Sequence, residues 1–377
     1  MYTEKQKLGL YIHIPFCLKK CNYCDFLSFS GYEYKDQLQY VQAVEAEMKE
    51  YDLKKSDYQI DSIFIGGGTP SLLAENLTEL LLQSVHRNFC IDTDTEITIE
   101  CNPKTLTEHK LKVYRQAGIN RLSIGCQSLD DTVLQFMGRA HTRNDFVETY
   151  LLARRCGFTN INIDLIFGVY GQTVRGFSRE IEEILNLEPE HLSFYSLQIE
   201  EGTPFYDDYK KGKFDQLADA EDREMYHMTI EKLKQSGYLH YEISNAAKKG
   251  YECRHNLKYW SMDDYLGIGL GAHSYVQGVR FSNTREMKKY LAGNYLEASH
   301  KNTRQDSMSD YLFTGLRKTE GIDLKEFENR FGAPIESIYG TTIQSFRERG
   351  LLGQKESRLY FTKTGLDLSN AVLRELI

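Results

Sequence analysis

Three cysteines, Cys17, Cys21 and Cys24, stand at C-x3-C-x2-C spacing. They follow Tyr11-Ile-His-Ile-Pro-Phe, an apolar run of strand character, so one loop at a strand end carries all three thiols. Thiolates this close can wrap one small metal group. Structural zinc sites usually take four ligands in two separated pairs. An all-cysteine cubane takes four thiolates, one for each iron. This loop offers three, and Phe26 stands where a C-x-C continuation would have placed a fourth. Three thiolates on a four-iron cluster leave one iron open to a non-protein ligand.

Further polar residues recur after apolar runs. Gly66-Gly67-Gly68-Thr69-Pro70 is a turn whose glycines let backbone approach a ligand closely. Glu100, in Glu-Cys-Asn-Pro, offers two acceptor oxygens suited to ribose hydroxyls or an amino group. Gln127 and Asp164 close or occupy the next two runs, and Arg139 follows a short helix with a guanidinium able to clamp a carboxylate. Each of these, read singly, suits a tight turn or a strand-end salt bridge equally well. His255-Asn-Leu-Lys-Tyr-Trp offers an imidazole that could ligate a metal, with Tyr259 and Trp260 able to stack on a flat ring system. On chemistry alone it reads at least as well as a packing motif between domains. Cys253 and His273 are weaker ligand candidates.

The elements that must position these residues read as β–α repeats. Apolar runs at 8–15, 62–66, 96–101, 121–127, 160–167 and 191–198 alternate with amphipathic stretches starting near Tyr34, Leu73, Thr107, Thr142 and Thr173. Five βα connections and a sixth strand predict an α/β fold, a partial (β/α)6 barrel, whose ligands gather at the carboxyl ends of the strands. The boundaries expected are 1–200 for the barrel, 201–304 for a mixed α/β extension, and 305–377 for a C-terminal winged-helix-like helical domain. In the extension, a loop after Glu200, a helix at 219–236 and a strand at 238–243 are expected. In the last domain, helices at 309–316, 324–331 and 338–349 precede a hairpin at 351–362 and a helix at 363–376.

Composition narrows the partners. The 46 basic and 54 acidic residues give a net charge of −8 with no polybasic run, which disfavours nucleic acid. No apolar stretch approaches the ~18 residues of a transmembrane helix. The first residues carry no secretory leader, and eight cysteines, three of them clustered, suit a reducing cytoplasm.

The cysteine spacing resembles the radical S-adenosylmethionine (SAM) superfamily. The flanking Tyr11-Ile-His-Ile-Pro-Phe-Cys and Cys-Asn-Tyr-Cys-Asp-Phe resemble the oxygen-independent coproporphyrinogen III oxidase (HemN-like) family, and more closely its HemW branch of heme chaperones. The resemblance implies a radical SAM barrel with a [4Fe–4S] cluster on Cys17, Cys21 and Cys24. It implies SAM contacts from Tyr11, Tyr23, Gly67, Gly68, Thr69, Glu100, Gln127, Arg139 and Asp164. The H-N-x-x-Y-W stretch resembles the signature of the chaperone branch and makes His255 the candidate heme ligand. The implied function is heme delivery to an acceptor such as a membrane-associated respiratory enzyme. The alternative is radical decarboxylation of coproporphyrinogen III, and a winged-helix regulator sensing iron or heme stands behind both. One departure is visible: Gly168-Val-Tyr-Gly-Gln-Thr carries Tyr170 where the family has proline, which predicts a looser turn.

Overall fold

The computed structural model describes residues 5–51 and 57–376. Strands β1 (Gln6–Ile14), β2 (Tyr58–Gly67), β3 (Ile91–Cys101), β4 (Arg121–Gln127), β5 (Ile161–Phe167) and β6 (His191–Ser196) pair in parallel in that order. Helices α1 (Tyr34–Glu50), α2 (Glu75–Asn88), α3 (Glu108–Gln116), α4 (Asp131–Phe136), α5 (Arg143–Arg155) and α6 (Val174–Asn186) fill the crossovers. This is the expected partial (β/α)6 barrel.

Strand alternation sorts the barrel's two faces. On β1, Leu8, Leu10, Ile12 and Ile14 are buried in the core that also holds Tyr40, Val41, Val44 and Met48 of α1. Tyr11 falls on the other face and is in register with Phe64, which is in register with Thr98. Two residues on, Glu100 pairs with Ser123, and Gly125 pairs with Asp164. The inner face is therefore largely polar, and the helices cover the apolar one.

The barrel stays open because other strands occupy its edges. After α7 (Pro204–Lys210) and α8 (Asp219–Gln235), β7 (Leu239–Glu242) and β8 (Asn245–Ala247) form a hairpin that pairs antiparallel with β6. Helix α9 (Arg254–Ser261) then returns the chain to the opposite edge. There β9 (Tyr265–Ile268) pairs parallel with β1, and β10 (His273–Val276) and β11 (Val279–Asn283) follow. Helix α10 (Met287–Leu291) and β12 (Leu296–Lys301) complete a twelve-stranded sheet.

The remainder packs its own core around Leu312, Phe327, Phe346 and Leu359. Its elements are α11 (Arg304–Gly315), β13 (Ile322–Asp323), α12 (Leu324–Phe331), α13 (Glu336–Glu348), β14 (Leu352–Lys355), β15 (Arg358–Phe361), α14 (Lys363–Asp367) and α15 (Ser369–Leu376). The expected helix-then-hairpin order is present, with β13 joining the hairpin as a third strand.

Three local expectations need correction. The loop expected after Glu200 gives way to α7, whose Thr203 hydroxyl caps the Tyr206 N–H at 3.2 Å. The final helix breaks at Leu368 into two. The extension holds six strands rather than one, because strands of three to six residues carry too short an alternation to read and depend on edge pairing. Among the described residues no helix is long and apolar enough to cross a membrane.

Candidate functional site

A cavity of about 400 Å3 opens at the carboxyl ends of the barrel strands. Cys17, Cys21, Tyr23, Cys24, Gly67, Gly68, Thr69, Glu100, Gln127, Arg139 and Asp164 all line it. Tyr11 and His255 do not.

The cysteine loop is held by backbone bonds on both sides. Cys17 N–H donates to the Phe29 carbonyl at 2.8 Å, and Phe29 N–H to Pro15 at 2.7 Å. Gly68 and Thr69 donate their N–H groups to Ile14 and Phe16. That approach requires glycine at 68, since a Cβ there would fall 2.8 Å from the Phe16 oxygen and 3.0 Å from Cys17 Sγ. Asn22 anchors the middle of the loop. Its N–H and side-chain amide donate to the Met137 and Phe136 carbonyls at 3.0 and 2.8 Å, and its own carbonyl accepts from Phe205 N–H at 2.9 Å.

Among the described residues no three His, Cys, Asp or Glu side chains converge on a single-ion site. The three thiols instead line a cavity with room beyond them, a soft donor set that fits an iron–sulfur cluster taking a fourth, external ligand. Burial pushes the Cys24 thiol up to about 11, so the thiolate form there depends on ligation.

Arg139 reaches this loop from the far side. Its Nη1 donates to Cys21 Sγ at 3.6 Å and its Nη2 to the Gly125 carbonyl at 2.9 Å. Its Nε is buried without a partner, and the side chain makes no ion pair among the described residues. A guanidinium left so is able to receive an anionic group. Gly125 makes the room, since a Cβ there would lie 3.2 Å from Arg139 Nη2 and 2.9 Å from Gln127 Nε2. Gln127 itself sits at φ 65°, left-handed for a residue with a side chain, where the β4–β5 register shifts.

Two carboxylates face the same space. Glu100 accepts from the Gly67 N–H at 3.0 Å, and burial, followed by the charge of Asp164, pushes it up to about 8. Asp164 accepts from Asn162 Nδ2 at 2.8 Å and Ser123 Oγ at 3.0 Å, and burial raises it despite these bonds.

The two residues outside the cavity belong to the barrel interior beneath it. The Tyr11 hydroxyl lies 3.0 Å from His13 Nδ1, and its ring stacks on Phe64. The His255 ring stacks on the same Phe64 and is 0% exposed. Its Nδ1 lies 3.0 Å from Ser62 Oγ and its Nε2 2.8 Å from the Tyr259 hydroxyl. Burial pushes this imidazole down to about 3, so it is neutral. Around it, Glu96 accepts from the Arg254 and His255 N–H groups, Lys258 pairs with Asp61 at 2.9 Å, and Arg317 lies over the Trp260 ring. Helix α9 thus closes the amino ends of the strands. With both its nitrogens engaged, His255 has no free nitrogen for iron in this arrangement.

The cavity also holds residues the motifs did not reveal. Tyr195, 40% exposed, and Ile166 lie on its wall, and they are in register with each other. Counting alternate residues from Asp164 along β5 and from Ser193 along β6 finds both. Asn102, whose Oδ1 is buried without a partner, had no such signal. The turn with Tyr170 in place of proline is closed by another device. Val169 N–H donates to Gln172 Oε1 at 3.0 Å, and the Tyr170 ring packs on Phe136 and Phe214.

Comparison with known proteins gives the family and the fold. Residues 11–187 match the model of the Radical SAM superfamily, and residues 302–368 match that of the HemN C-terminal domain. The heme chaperone HemW of Bacillus subtilis is 38% identical over 370 residues, covering 96% of this chain and 97% of that protein. The heme chaperone HemW of Lactococcus lactis is 32% identical over 372 residues, covering 97% and 96%. Among solved structures, coproporphyrinogen III oxidase (HemN) from Escherichia coli, a radical SAM enzyme, superposes with a TM-score of 0.86. That match covers 99% of this chain and 90% of the other at 24% identity, and it shows a shared fold.

Proposed function

The chain belongs to the HemW family within the radical SAM superfamily, and from that premise we propose that it is a heme chaperone built around an iron–sulfur and SAM site. The observation that carries the reading is the meeting of three loop thiols, a glycine turn and a buried guanidinium lacking an anion in one cavity.

Cys17, Cys21 and Cys24 would hold a [4Fe–4S] cluster. The Gly67–Gly68–Thr69 turn would receive the amino group of SAM, and Arg139 its carboxylate. Glu100, Gln127 and Asp164 would bind the nucleoside, with Tyr23 beside Arg139. Tyr11 would act from below, through its stack on Phe64. When bound, the cluster and SAM supply reductive cleavage of the sulfonium C–S bond. The chain's own part is to orient SAM, to keep water from the barrel interior with the α9 closure, and to hold Arg139 against the cluster loop. Heme is cargo, captured and passed to an acceptor such as a membrane-associated respiratory enzyme. A reducing, cytoplasmic setting suits the eight free thiols.

The test is anaerobic reconstitution followed by hemin titration, with coproporphyrinogen III, SAM and reductant in a parallel reaction. The reading expects about four irons per chain, loss of that iron in Cys17→Ala, Cys21→Ala and Cys24→Ala, and stoichiometric heme binding without decarboxylated product. Iron retained by all three variants, or turnover of the porphyrinogen, overturns it.

A further inference from the structure

The histidines of the sheet and its interior are largely spoken for. His13, His141, His191 and His255 have partners at both ring nitrogens. His227 and His300 pair with carboxylates, and His240 bonds the Ile243 carbonyl. His86 and His109 are exposed on the outer helices α2 and α3. His273 is set apart by place: it stands on the sheet, in β10, yet it is exposed and its imidazole has no hydrogen-bond partner among the described residues.

Register places His273 on the cavity's side of the sheet. Tyr11, on the inner face of β1, pairs in parallel with Gly267. Tyr275 pairs antiparallel with Tyr265, so two residues on His273 stands across from Gly267. A Cβ on Gly267 would fall 2.2 Å from the His273 carbonyl oxygen, so bare glycine is what lets the strands close here. His273 therefore continues, toward the open edge, the inner-face row that runs through Tyr11 and Phe64.

Its surroundings suit an anionic, flat, apolar molecule. The charges of Arg285 and Arg280 both act on His273, and that of Arg285 also acts on His13. Arg280 is committed to Asp310 at 2.6 Å. Arg285 is exposed and makes no ion pair among the described residues. A Cβ on Gly271 would meet Leu27 Cδ2 at 2.5 Å and Arg285 Cγ at 3.6 Å, so the end of the cluster loop and the arginine stem lie against one glycine. Phe26, next to Leu27 and 64% exposed, adds an apolar surface at the cavity rim.

We propose that His273 is the axial ligand of the heme, with Arg285 receiving a propionate and Leu27 and Phe26 bordering the macrocycle; this rests on the heme-carrier reading above. One exposed imidazole is a ligand that can let go, as cargo transfer requires. A second buried ligand would retain the heme. The site adjoins the cluster loop and meets the cavity assigned to SAM only at its Phe26 rim, since His273, Arg285 and Leu27 do not line that cavity.

The test is hemin titration of the full-length reconstituted protein, read by the Soret band, by EPR of the ferric heme, and by iron–sulfur content as a folding check. His273→Ala should lose the histidine-type signature and weaken binding about tenfold or more. Added imidazole should restore the signature in His273→Gly. Arg285→Ala should weaken binding several-fold without changing the spectrum. An unchanged spectrum and affinity in His273→Ala overturns this ligand and leaves the carrier reading standing. No heme binding by the unmutated protein overturns both.

Discussion

Arg139 Nη1 donates to Cys21 Sγ at 3.6 Å, while the Nε of the same guanidinium is buried with no partner. One cation thus faces a loop thiol and keeps a buried donor unpaired. Arg139→Ala should weaken SAM binding by roughly 2 kcal/mol, about thirtyfold. Arg139→Lys should recover only part, since an ammonium cannot form the two-pronged contact. SAM titrated against the EPR signal of the reduced cluster reads this directly, and equal affinity in the alanine variant would remove Arg139 from the SAM site.

Gly68→Ala is expected to strike the cluster rather than the fold. The added methyl meets the Phe16 carbonyl and the Cys17 sulfur, and the carbonyl is backbone held by the Thr69 N–H. Iron and sulfide per chain after reconstitution should fall while the far-UV circular dichroism is retained. Full cluster content would show that the loop yields more than its hydrogen bonds suggest.

Glu100 ties stability to pH. Its folded-state value of about 8 lies above its ordinary 4.5, because burial and the charge of Asp164 disfavour the carboxylate. The folded state therefore holds a proton that the unfolded chain has released. Stability from this group is complete below about pH 4.5 and is lost as pH rises through about 8. In SAM-free protein, Glu100→Gln should melt progressively higher than the unmutated chain as pH is raised across that window, while binding SAM less well. A melting-temperature difference that does not change with pH would contradict the buried carboxylate pair.

His255→Ala should behave as a core mutation. It strips hydrogen-bond partners from Ser62 and Tyr259 and leaves a hole beneath Phe64. A loss of about 2–4 kcal/mol in urea unfolding is expected, with the heme spectrum of the surviving folded protein unchanged. Loss of the histidine-type Soret signature at native-like stability would return His255 to the role of iron ligand.

These residues also show where sequence reading succeeds and where it stops. The cysteine loop, the Gly66–Pro70 turn and Glu100 were legible because each is local: its chemistry and its position at the end of an apolar run lie within a few residues. The barrel followed from the same alternation. His255 could not be read this way. Its environment is assembled from Ser62, Phe64 and Tyr259, and the helix bearing it is fixed by Glu96 and Arg317, partners scattered over most of the chain. The strands β9–β12 were illegible for a related reason, since a strand of four to six residues becomes one only when a neighbour supplies its ladder. His273 could be named only as a weaker candidate, because what distinguishes it, an unbonded ring in a sheet where the other rings are bonded, is a property of its surroundings.

The Asn22 anchor sets a timetable for biosynthesis. The cluster loop lies near the start of the chain, yet its middle is tied to carbonyls at the end of α4 and to an N–H in α7. Phe205, the last of these partners, is made only when more than half of the 377 residues have been translated. Until then the loop has its bonds to Phe29, Gly68, Thr69, Phe136 and Met137 but lacks its last anchor. The loop would therefore gain its full set of anchors late, after the sixth strand has been made.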